Sequence, residues 1–305
     1  MHGGERFIAP VRLDGTVEAA LRELTALAPL HQPKSLASLD AVSAALPHLP
    51  AVVCFDTAFH ATMDPSATTY ALPADWRTRW PLRRYGFHGL SHAWVARRVP
   101  DLLGRPAAGL RLVSAHLGAG ASLCAIRDGR SVDTTMGFTP LEGLVMATRS
   151  GSVDPGLILW LLDGGGLRAE ELADGLEHRS GLRGLAGTPD MRAVQERARA
   201  GDADARLALD VYAHRLRAGI AAMAAALGGI DALAFTGGVG EHSPQVRAEA
   251  VAGLRFLGLD IDPGRNAAAT TDGDVSAPAS AARTLVVSAR EDLEIARQTR
   301  AVLGA

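Results

Sequence analysis

A glycine-rich turn between two strand-like segments constrains the fold of this chain more than any other feature. Residues 110–117 and 123–127 are both apolar and strand-like, and Gly118-Ala-Gly-Ala-Ser122 lies between them. Asp128-Gly129 is a strong two-residue hairpin signal, which predicts that residues 131–135 return as a third strand. Rossmann and P-loop motifs need a helix directly after their glycines. Because these glycines join strand to strand, neither motif fits.

Helices dominate the second half of the chain, with two strand-like segments between them. The predicted elements are a helix over 210–227, a strand over 230–236, a loop over 237–240, a strand over 284–288 and a helix over 291–303. Ser243 and Pro244 are suited to the N-cap and the first position of a further helix.

Composition limits the classes of function. The 305 residues are 48% apolar, enough for one large domain or two ordinary ones. A net charge of −2, with both signs interspersed, argues against nucleic acid or an anionic membrane as partner. No apolar run is long enough to cross a bilayer, and the first residues do not resemble a signal peptide. Two isolated cysteines indicate a reducing compartment, so a cytoplasmic location is predicted.

Two glycine loops are candidate anion sites. In residues 116–122, backbone N–H groups can converge on an anion, and Ser122 adds a hydroxyl donor. In residues 236–243, glycines follow a strand and precede the Ser-Pro helix start, whose N–H groups are free. Each loop alone is equally explained as an ordinary turn. Two such loops, each after a strand, favour a nucleotide-binding site formed by both loops.

Arg149 and several histidines are candidate phosphate contacts. Arg149 lies in a glycine-bounded loop, and its planar charged fork suits phosphate or carboxylate; a surface arginine is the alternative. The histidines lie beside apolar or glycine residues, which also suits core histidines. A metal cage is a rival reading, but no pair has the HExxH spacing. We interpret the histidines as donors along a phosphate path. They are His31, His60, His88 and His92.

Asp56 and Glu291 are candidate Mg²⁺ ligands. Each is predicted to lie at the end of a strand, where carboxylates commonly hold Mg²⁺ between nucleotide phosphates. For Glu291 the alternative is an acid in the first turn of a helix, where it complements the helix dipole.

Six motifs together resemble the signatures of the acetate kinase family. They are Phe-Asp-Thr-Ala-Phe-His at 55–60, Arg-Tyr-Gly-Phe-His-Gly-Leu-Ser-His at 84–92, His-Leu-Gly-Ala-Gly-Ala-Ser at 116–122, Asp-Thr-Thr-Met-Gly-Phe-Thr-Pro-Leu-Glu-Gly at 133–143, Thr-Arg-Ser-Gly at 148–151 and Phe-Thr-Gly-Gly-Val-Gly-Glu at 235–241. They occur in the family's order, and the resemblance covers essentially the whole chain.

The resemblance implies a two-domain, actin-like (ribonuclease H-like) α/β fold of the actin/Hsp70/sugar-kinase type. Residues 1–60 and 294–305 would form an incomplete domain I, and residues 61–293 a nucleotide-binding domain II. The implied reaction is reversible transfer of the ATP γ-phosphoryl group to acetate, with Mg²⁺ (or Mn²⁺). Propionate is the alternative substrate. The family is usually homodimeric.

The resemblance also implies roles for particular residues. Asp56, His88, Arg149 and His31 correspond to catalytic residues, and Glu291 to an acid that organises the metal. Leu30, Phe87 and Pro140 correspond to the pocket for the acetate methyl group. The nucleotide and phosphate path would be lined by His116, Gly118, Gly120, Ser122, Asp190, Arg192, Gly238 and Gly240.

One departure from the family concerns the start of the chain. Family members have a strand with an Asn-Ala-Gly-Ser-Ser-Ser-x-Lys loop, and later an arginine and two valines before His-Gly-Gly-Glu. Here Met1 takes the place of the second valine, directly before His2-Gly3-Gly4-Glu5. We therefore expect a true start upstream. The alternative is an inactive remnant that still binds nucleotide or dimerises.

Overall fold

A six-stranded mixed sheet organises the computed structural model, which describes residues 1–27 and 32–304. Its strands are β3 (Arg111–Leu117), β4 (Ala121–Arg127), β5 (Arg130–Thr134), β6 (Ala232–Thr236), β7 (Gly273–Asp274) and β8 (Arg283–Val286), and a separate pair consists of β1 (Val11–Arg12) and β2 (Val52–Val53). The large sheet has the order β5-β4-β3-β6-β8-β7. Strands β3, β6 and β8 run parallel, so their carboxyl ends meet at one edge.

The predicted hairpins are confirmed. Strand β3 pairs antiparallel with β4, and β4 with β5. Asp128 and Gly129 both have positive φ, 54° and 75°, as a type I′ turn between twisted strands requires.

Helices cover both faces of the sheet. They are α1 (Gly15–Glu23), α2 (Gln32–Ala45), α3 (Pro65–Thr68), α4 (Ala74–Arg79), α5 (Gly89–Leu103), α6 (Pro155–Asp163), α7 (Ala169–His178), α8 (Gly181–Ala186), α9 (Met191–Arg199), α10 (Ala203–Leu227), α11 (Gly237–His242), α12 (Pro244–Ala252), α13 (Pro263–Ala268) and α14 (Glu291–Leu303). None of these helices has the length and apolar character needed to cross a bilayer.

Side-chain alternation along the strands divides the core between the two faces. Val113 and Ala115 of β3 pack toward α8, α9, α10 and α12, whereas Leu112 packs toward α5. Successive side chains of a strand point to opposite faces, so a continuous apolar run such as β3 is expected where helices cover both faces. The α/β fold class is therefore confirmed.

A third apolar cluster joins the small β1–β2 sheet to the first two helices. Phe7 and Phe55 stack in it with ring centroids 5.0 Å apart, and Leu21 and Leu36 are buried beside them. The division into domains at residues 60/61 and 293/294 stays a prediction.

Three local predictions need correction. The predicted loop at 237–240 is helix α11, which begins directly after β6. Gly237 makes this possible, because its φ is 77° and a Cβ there would lie 2.8 Å from the Leu117 carbonyl oxygen. Glu291 does not end a strand but begins α14, and Asp56 lies three residues beyond the short β2. The helix start at Ser243-Pro244 is confirmed, and the Ser243 side chain accepts a hydrogen bond from Val246 N.

Candidate active site

The two glycine segments lie side by side at the carboxyl edge of the sheet. His116 of β3 is in register with Thr236 of β6, so the Gly118–Gly120 turn and the start of α11 emerge next to each other. Open α/β sheets bind ligands at this edge. The turn is closed by a hydrogen bond of 2.9 Å from Gly118 N to Gly120 O.

A cavity of about 450 Å³ lies against these segments. Four residues predicted to contact nucleotide line it together: Gly118, Asp190, Arg192 and Gly238. Gly240 lies inside α11 and is buried. Asp190 caps α9, because its carboxylate accepts a hydrogen bond from Arg192 N. The cavity wall also contains Gln195, Tyr212 and His242, which the sequence analysis does not identify.

A smaller cavity, of about 240 Å³, is lined by Arg149 and His88. Five residues predicted to contact the acceptor or take part in the reaction line it: Asp56, Phe87, His88, Pro140 and Arg149. Leu30 and His31, which were predicted to join them, lie outside the described residues. His2 and Gln32 line the cavity as well, and Gln32 Oε1 accepts a hydrogen bond from His2 N.

Arg149 and His88 converge on one point above Gly120. A Cβ on Gly120 would lie 3.1 Å from His88 Nε2 and 3.2 Å from Arg149 Nη2. The other end of the guanidinium is fixed, because Arg149 Nη1 donates a hydrogen bond of 2.6 Å to Pro140 O. Burial lowers the pKa of Arg149, although arginine remains charged in proteins. A fixed cation and an imidazole nitrogen thus flank a space that only a residue without a side chain leaves open.

Asp56 fixes the backbone that carries His88. His88 has a left-handed φ of 55° and precedes α5. Its N–H donates a hydrogen bond of 2.7 Å to Asp56 Oδ2, and Gly89 N donates to Asp56 O. Burial raises the pKa of Asp56, but nearby positive charge, including that of the chain's amino terminus, and the hydrogen bond from His88 N together outweigh this and hold the pKa below its usual range. Asp56 is therefore ionised at neutral pH.

His116 stacks on His88, with ring centroids 4.3 Å apart. Its Nδ1 lies 2.8 Å from Ser91 Oγ on α5. Burial lowers the pKa of His116 to about 3. At neutral pH the ring is uncharged and can offer one N–H.

His60 and His92 do not line the phosphate path, contrary to the interpretation of the sequence. Both are fully buried, and each contacts a serine hydroxyl: His60 Nδ1 lies 2.9 Å from Ser131 Oγ, and His92 Nδ1 lies 2.9 Å from Ser114 Oγ. Burial lowers the pKa of His60 to about 4 and that of His92 well below its usual value. They are neutral core histidines.

Ser122 also departs from its predicted place. It is fully buried, and its hydroxyl lies 2.9 Å from His88 Nδ1 and 2.8 Å from His92 Nε2. The hydroxyl therefore contacts two imidazoles instead of facing a bound anion.

Asp56 and Glu291 form an electrostatically coupled pair of carboxyl groups. Burial raises the pKa of Glu291, and the charge of Asp56 raises it further. Within residues 1–27 and 32–304, no group of three or more His, Cys, Asp or Glu side chains is arranged to hold a metal. Two carboxylates do fit Mg²⁺, which keeps several waters and takes its other ligands from nucleotide phosphates.

The loop that holds Arg149 is braced by a cluster that the sequence analysis misses. Tyr70 Oη donates a hydrogen bond of 2.7 Å to Glu142 Oε2, and Arg84 Nη2 donates one of 2.8 Å to Glu142 Oε1. Phe138 N in turn donates to Tyr70 Oη. Arg84 and Glu142 lie within the family motifs at 84–92 and 133–143, so the sequence marks these two residues without indicating that they pair. The cluster fixes the loop whose Pro140 carbonyl holds Arg149.

The buried neutral histidines predict an acid-sensitive fold. His60 has a folded pKa of about 4 against 6.5 when unfolded, so the unfolded state binds more protons between these values. Stability is therefore retained above about pH 6.5 and is lost as the pH falls toward 4. For His60 alone we expect a loss on the order of 2 kcal/mol in unfolding free energy from about pH 7 to about pH 5.

Urea unfolding of His60→Gln across this pH range tests the expectation. The variant should show a shallower dependence of stability on pH than the parent chain. His214→Gln, at an exposed position on α10, is the matched control and should keep the parent dependence. Equal pH dependence in all three proteins would contradict the prediction.

Together these features define a class of protein. A fixed arginine and two stacked histidines lie at a glycine turn. Gly118 of this turn lines one cavity, Arg149 and His88 line another, and the carboxyl group of Asp56 interacts with that of Glu291. Phosphoryl-transfer enzymes use such groups, because their catalysis rests on positioning and on stabilising negative charge.

Comparison with known proteins identifies the family. The acetokinase family model matches residues 1–297, and the chain belongs to this family. The acetate kinase of Leifsonia xyli is 52% identical over 299 residues, a match that covers 98% of this chain and 75% of that protein. The crystal structure of Porphyromonas gingivalis acetate kinase matches with a TM-score of 0.94 and 38% identity, covering 99% of this chain and 76% of that one. A propionate kinase from Francisella tularensis matches with a TM-score of 0.93 and 36% identity, covering 98% and 76%.

These findings confirm the resemblance seen in the sequence. The chain is a kinase, and its α/β fold is that of acetate and propionate kinases, consistent with the actin-like class. The expectations of an upstream start and an incomplete first domain stay predictions.

Proposed function

We propose that this chain is an acetate kinase that transfers the γ-phosphoryl group of ATP directly to acetate, reversibly, giving acetyl phosphate and ADP. The observation that carries the proposal is the convergence of Arg149 Nη2 and His88 Nε2 over Gly120, in the turn whose Gly118 lines the larger cavity. Arg149 and His88 themselves line the smaller cavity. ATP would occupy the larger cavity, against Gly118, Asp190 and Gly238. The carboxylate would enter the smaller one.

The acceptor chemistry suits these groups. Acetate is ionised at neutral pH and needs no general base. A carboxylate oxygen attacks the γ-phosphorus, the bond from phosphorus to the bridging oxygen breaks, and ADP leaves with the electron pair. Negative charge then spreads over the equatorial oxygens. Arg149, with N–H groups of His88 and His116, would stabilise that charge.

Mg²⁺ (or Mn²⁺) would be held by Asp56 and Glu291, directly or through water. Bound there, it would neutralise charge on the nucleotide phosphates. A cation would also relieve the repulsion that raises the pKa of Glu291. Asp56 would keep its second task, which is to fix the His88 backbone.

The acceptor pocket favours a short acyl group. Phe87 and Pro140 line a cavity of only about 240 Å³. Propionate is the alternative substrate, which the likeness to a propionate kinase supports. One methylene changes binding by only about 1–3 kcal/mol, so the pocket residues favour a small acyl group without ranking acetate against propionate. Comparison of kcat/KM for the two acids decides between them.

Formation of acetyl phosphate from ATP, Mg²⁺ and acetate tests the proposal. Acetyl phosphate trapped as its hydroxamate should appear in step with ADP, and the same assay with propionate shows which of the two acids is preferred. Arg149→Ala is the negative control. Nucleotide binding without any acyl phosphate would contradict the proposal and favour the alternative of a nucleotide-binding remnant.

A homodimer is part of the same proposal. Helix α6 has an apolar sequence, yet none of its residues is buried. Leu157, Leu159 and Trp160 are 46%, 67% and 61% exposed. A contiguous exposed apolar surface of this kind is typical of an interface, and we propose that a second copy of the chain covers it.

A cytoplasmic location also stays a prediction.

Light scattering after gel filtration tests the dimer. The parent chain should have twice the mass of one chain. Trp160→Glu should weaken association by about 30-fold or more, the effect of losing a central aromatic residue. Phe256→Glu changes another exposed aromatic residue, 74% exposed and outside α6, and should leave the dimer intact. A monomeric parent chain would contradict the proposal.

A further inference from the structure

A chain of buried hydrogen bonds leads from His88 into the interior of the sheet. His88 Nδ1 lies 2.9 Å from Ser122 Oγ, and Ser122 Oγ lies 2.8 Å from His92 Nε2. His92 Nδ1 lies 2.9 Å from Ser114 Oγ. Ser114, His92 and Ser122 are all fully buried. We call these three residues with His88 the serine–histidine chain.

The direction of these hydrogen bonds follows from counting protons. Within the described part of the molecule, His92 Nδ1 is the one hydrogen-bond partner of Ser114 Oγ. A buried hydroxyl proton needs an acceptor, so Ser114 donates to His92 Nδ1. His92 is neutral, because burial drives its pKa well below the usual value, and it carries a single ring proton. That proton is therefore on Nε2 and is donated to Ser122 Oγ.

The remaining link sets the state of His88. Ser122 accepts from His92, so its own proton is free to go to His88 Nδ1. A neutral His88 whose Nδ1 accepts a hydrogen bond carries its proton on Nε2. This is the nitrogen that lies 3.1 Å from the Cβ position of Gly120, beside Arg149 Nη2. The opposite direction would leave the Ser114 hydroxyl proton without an acceptor in the sheet interior, where that loss is costly.

A single serine hydroxyl sets the tautomer of His116 in the same manner. Ser91 Oγ has His116 Nδ1 as its one hydrogen-bond partner in the regions the structure describes, at 2.8 Å. Donation by Ser91 places the His116 proton on Nε2. The two stacked imidazoles would then both present N–H donors, whereas a bare nitrogen would repel a phosphoryl oxygen.

We infer that Ser114, His92 and Ser122 are positioning residues that hold His88 as the Nε2–H tautomer, so that its ring faces the transferring phosphoryl group as a donor. The inference rests on the proposed function for the task of His88. The tautomer itself is a property of the chain without substrate, so it can be measured separately from activity.

Two-bond ¹H–¹⁵N correlation spectra of the full chain, labelled with ¹⁵N-histidine, test the inference. Nδ1–H and Nε2–H tautomers give different patterns, and His88→Gln identifies the His88 signals. We expect the Nε2–H pattern in the parent chain. In Ser114→Ala and Ser122→Ala, we expect His88 to shift toward a mixture of tautomers. The kcat should fall about 10- to 100-fold with little change in KM, a smaller loss than removal of a transition-state donor.

Two further variants separate positioning from general damage to the core. Ser114→Thr keeps a hydroxyl and should restore the Nε2–H pattern and kcat. Ser131→Ala removes an equally buried hydroxyl, one that contacts His60 instead of this chain, and should leave the His88 pattern unchanged. An unchanged His88 pattern in both Ser114→Ala and Ser122→Ala would overturn the inference, even with full acetate kinase activity. Absence of activity with the expected patterns would overturn the proposed function alone.

Discussion

Arg149→Lys lowers kcat by about 10²–10³-fold, the usual cost of losing a transition-state donor. The guanidinium makes two contacts at once: Nη1 donates to Pro140 O, and Nη2 lies over Gly120. A lysine ammonium keeps the charge but has no fork, so it cannot hold the Pro140 carbonyl and face the phosphoryl group together. We therefore expect the loss mainly in kcat.

Initial rates with varied acetate and ATP measure this effect. Arg149→Ala removes the charge as well and should be slower than Arg149→Lys. Arg183→Lys, at an exposed arginine on α8, is the matched control and should retain the parent kcat. An Arg149→Lys enzyme with the parent kcat would show that the fork takes no part in the transition state.

Gly120→Ala should lower kcat by about 10- to 100-fold, because misplacement of catalytic groups by a fraction of an ångström is costly. The added Cβ would lie 3.1 Å from His88 Nε2 and 3.2 Å from Arg149 Nη2, closer than either group tolerates without moving. It would also fill the space between them. Gly120 does not have a positive φ, so backbone strain is not the cause.

Gly118→Ala gives a comparison within the same turn. Its Cβ would meet Gly120 O at 3.5 Å and His116 Nε2 at 3.8 Å, which are ordinary contacts. We expect a smaller loss of kcat than for Gly120→Ala, and similar melting temperatures for both variants. Equal losses would mean that the turn backbone matters more than the space above Gly120.

Local chemistry accounts for the parts of the fold that the sequence predicts. The Asp128-Gly129 turn and the Ser243-Pro244 helix start depend on neighbouring residues only. The sequence predicts a loop at 237–240 because glycines disfavour helices. Packing of α11 against β3 overrides that tendency. The sequence identifies Asp56 and Glu291 as candidate carboxylates. It does not show that the charge of one raises the pKa of the other, because that depends on how distant segments pack.

The buried serine–histidine hydrogen bonds behind the site cannot be predicted from the sequence. Ser114 and His92 are 22 residues apart, and Ser131 and His60 are 71 apart. No periodicity relates them, and each serine by itself looks like an ordinary strand residue. The family resemblance identified side chains at the surface of the site, whereas the buried hydroxyls behind them become visible only once α5 is packed on the sheet.

The Gly118–Gly120 turn adjoins both cavities: Gly118 lines the larger one, and Gly120 lies beside His88 and Arg149, which line the smaller one. The larger cavity is lined by residues of α9 and α11, and the smaller one by Phe87 and the Pro140 loop. The two cavities are therefore lined by different residues, and a substitution in one lining leaves the other unchanged. Under the proposed function, substitutions of Phe87 and of the Pro140 loop would change the preference for the acceptor carboxylate while the residues that line the larger cavity stay as they are.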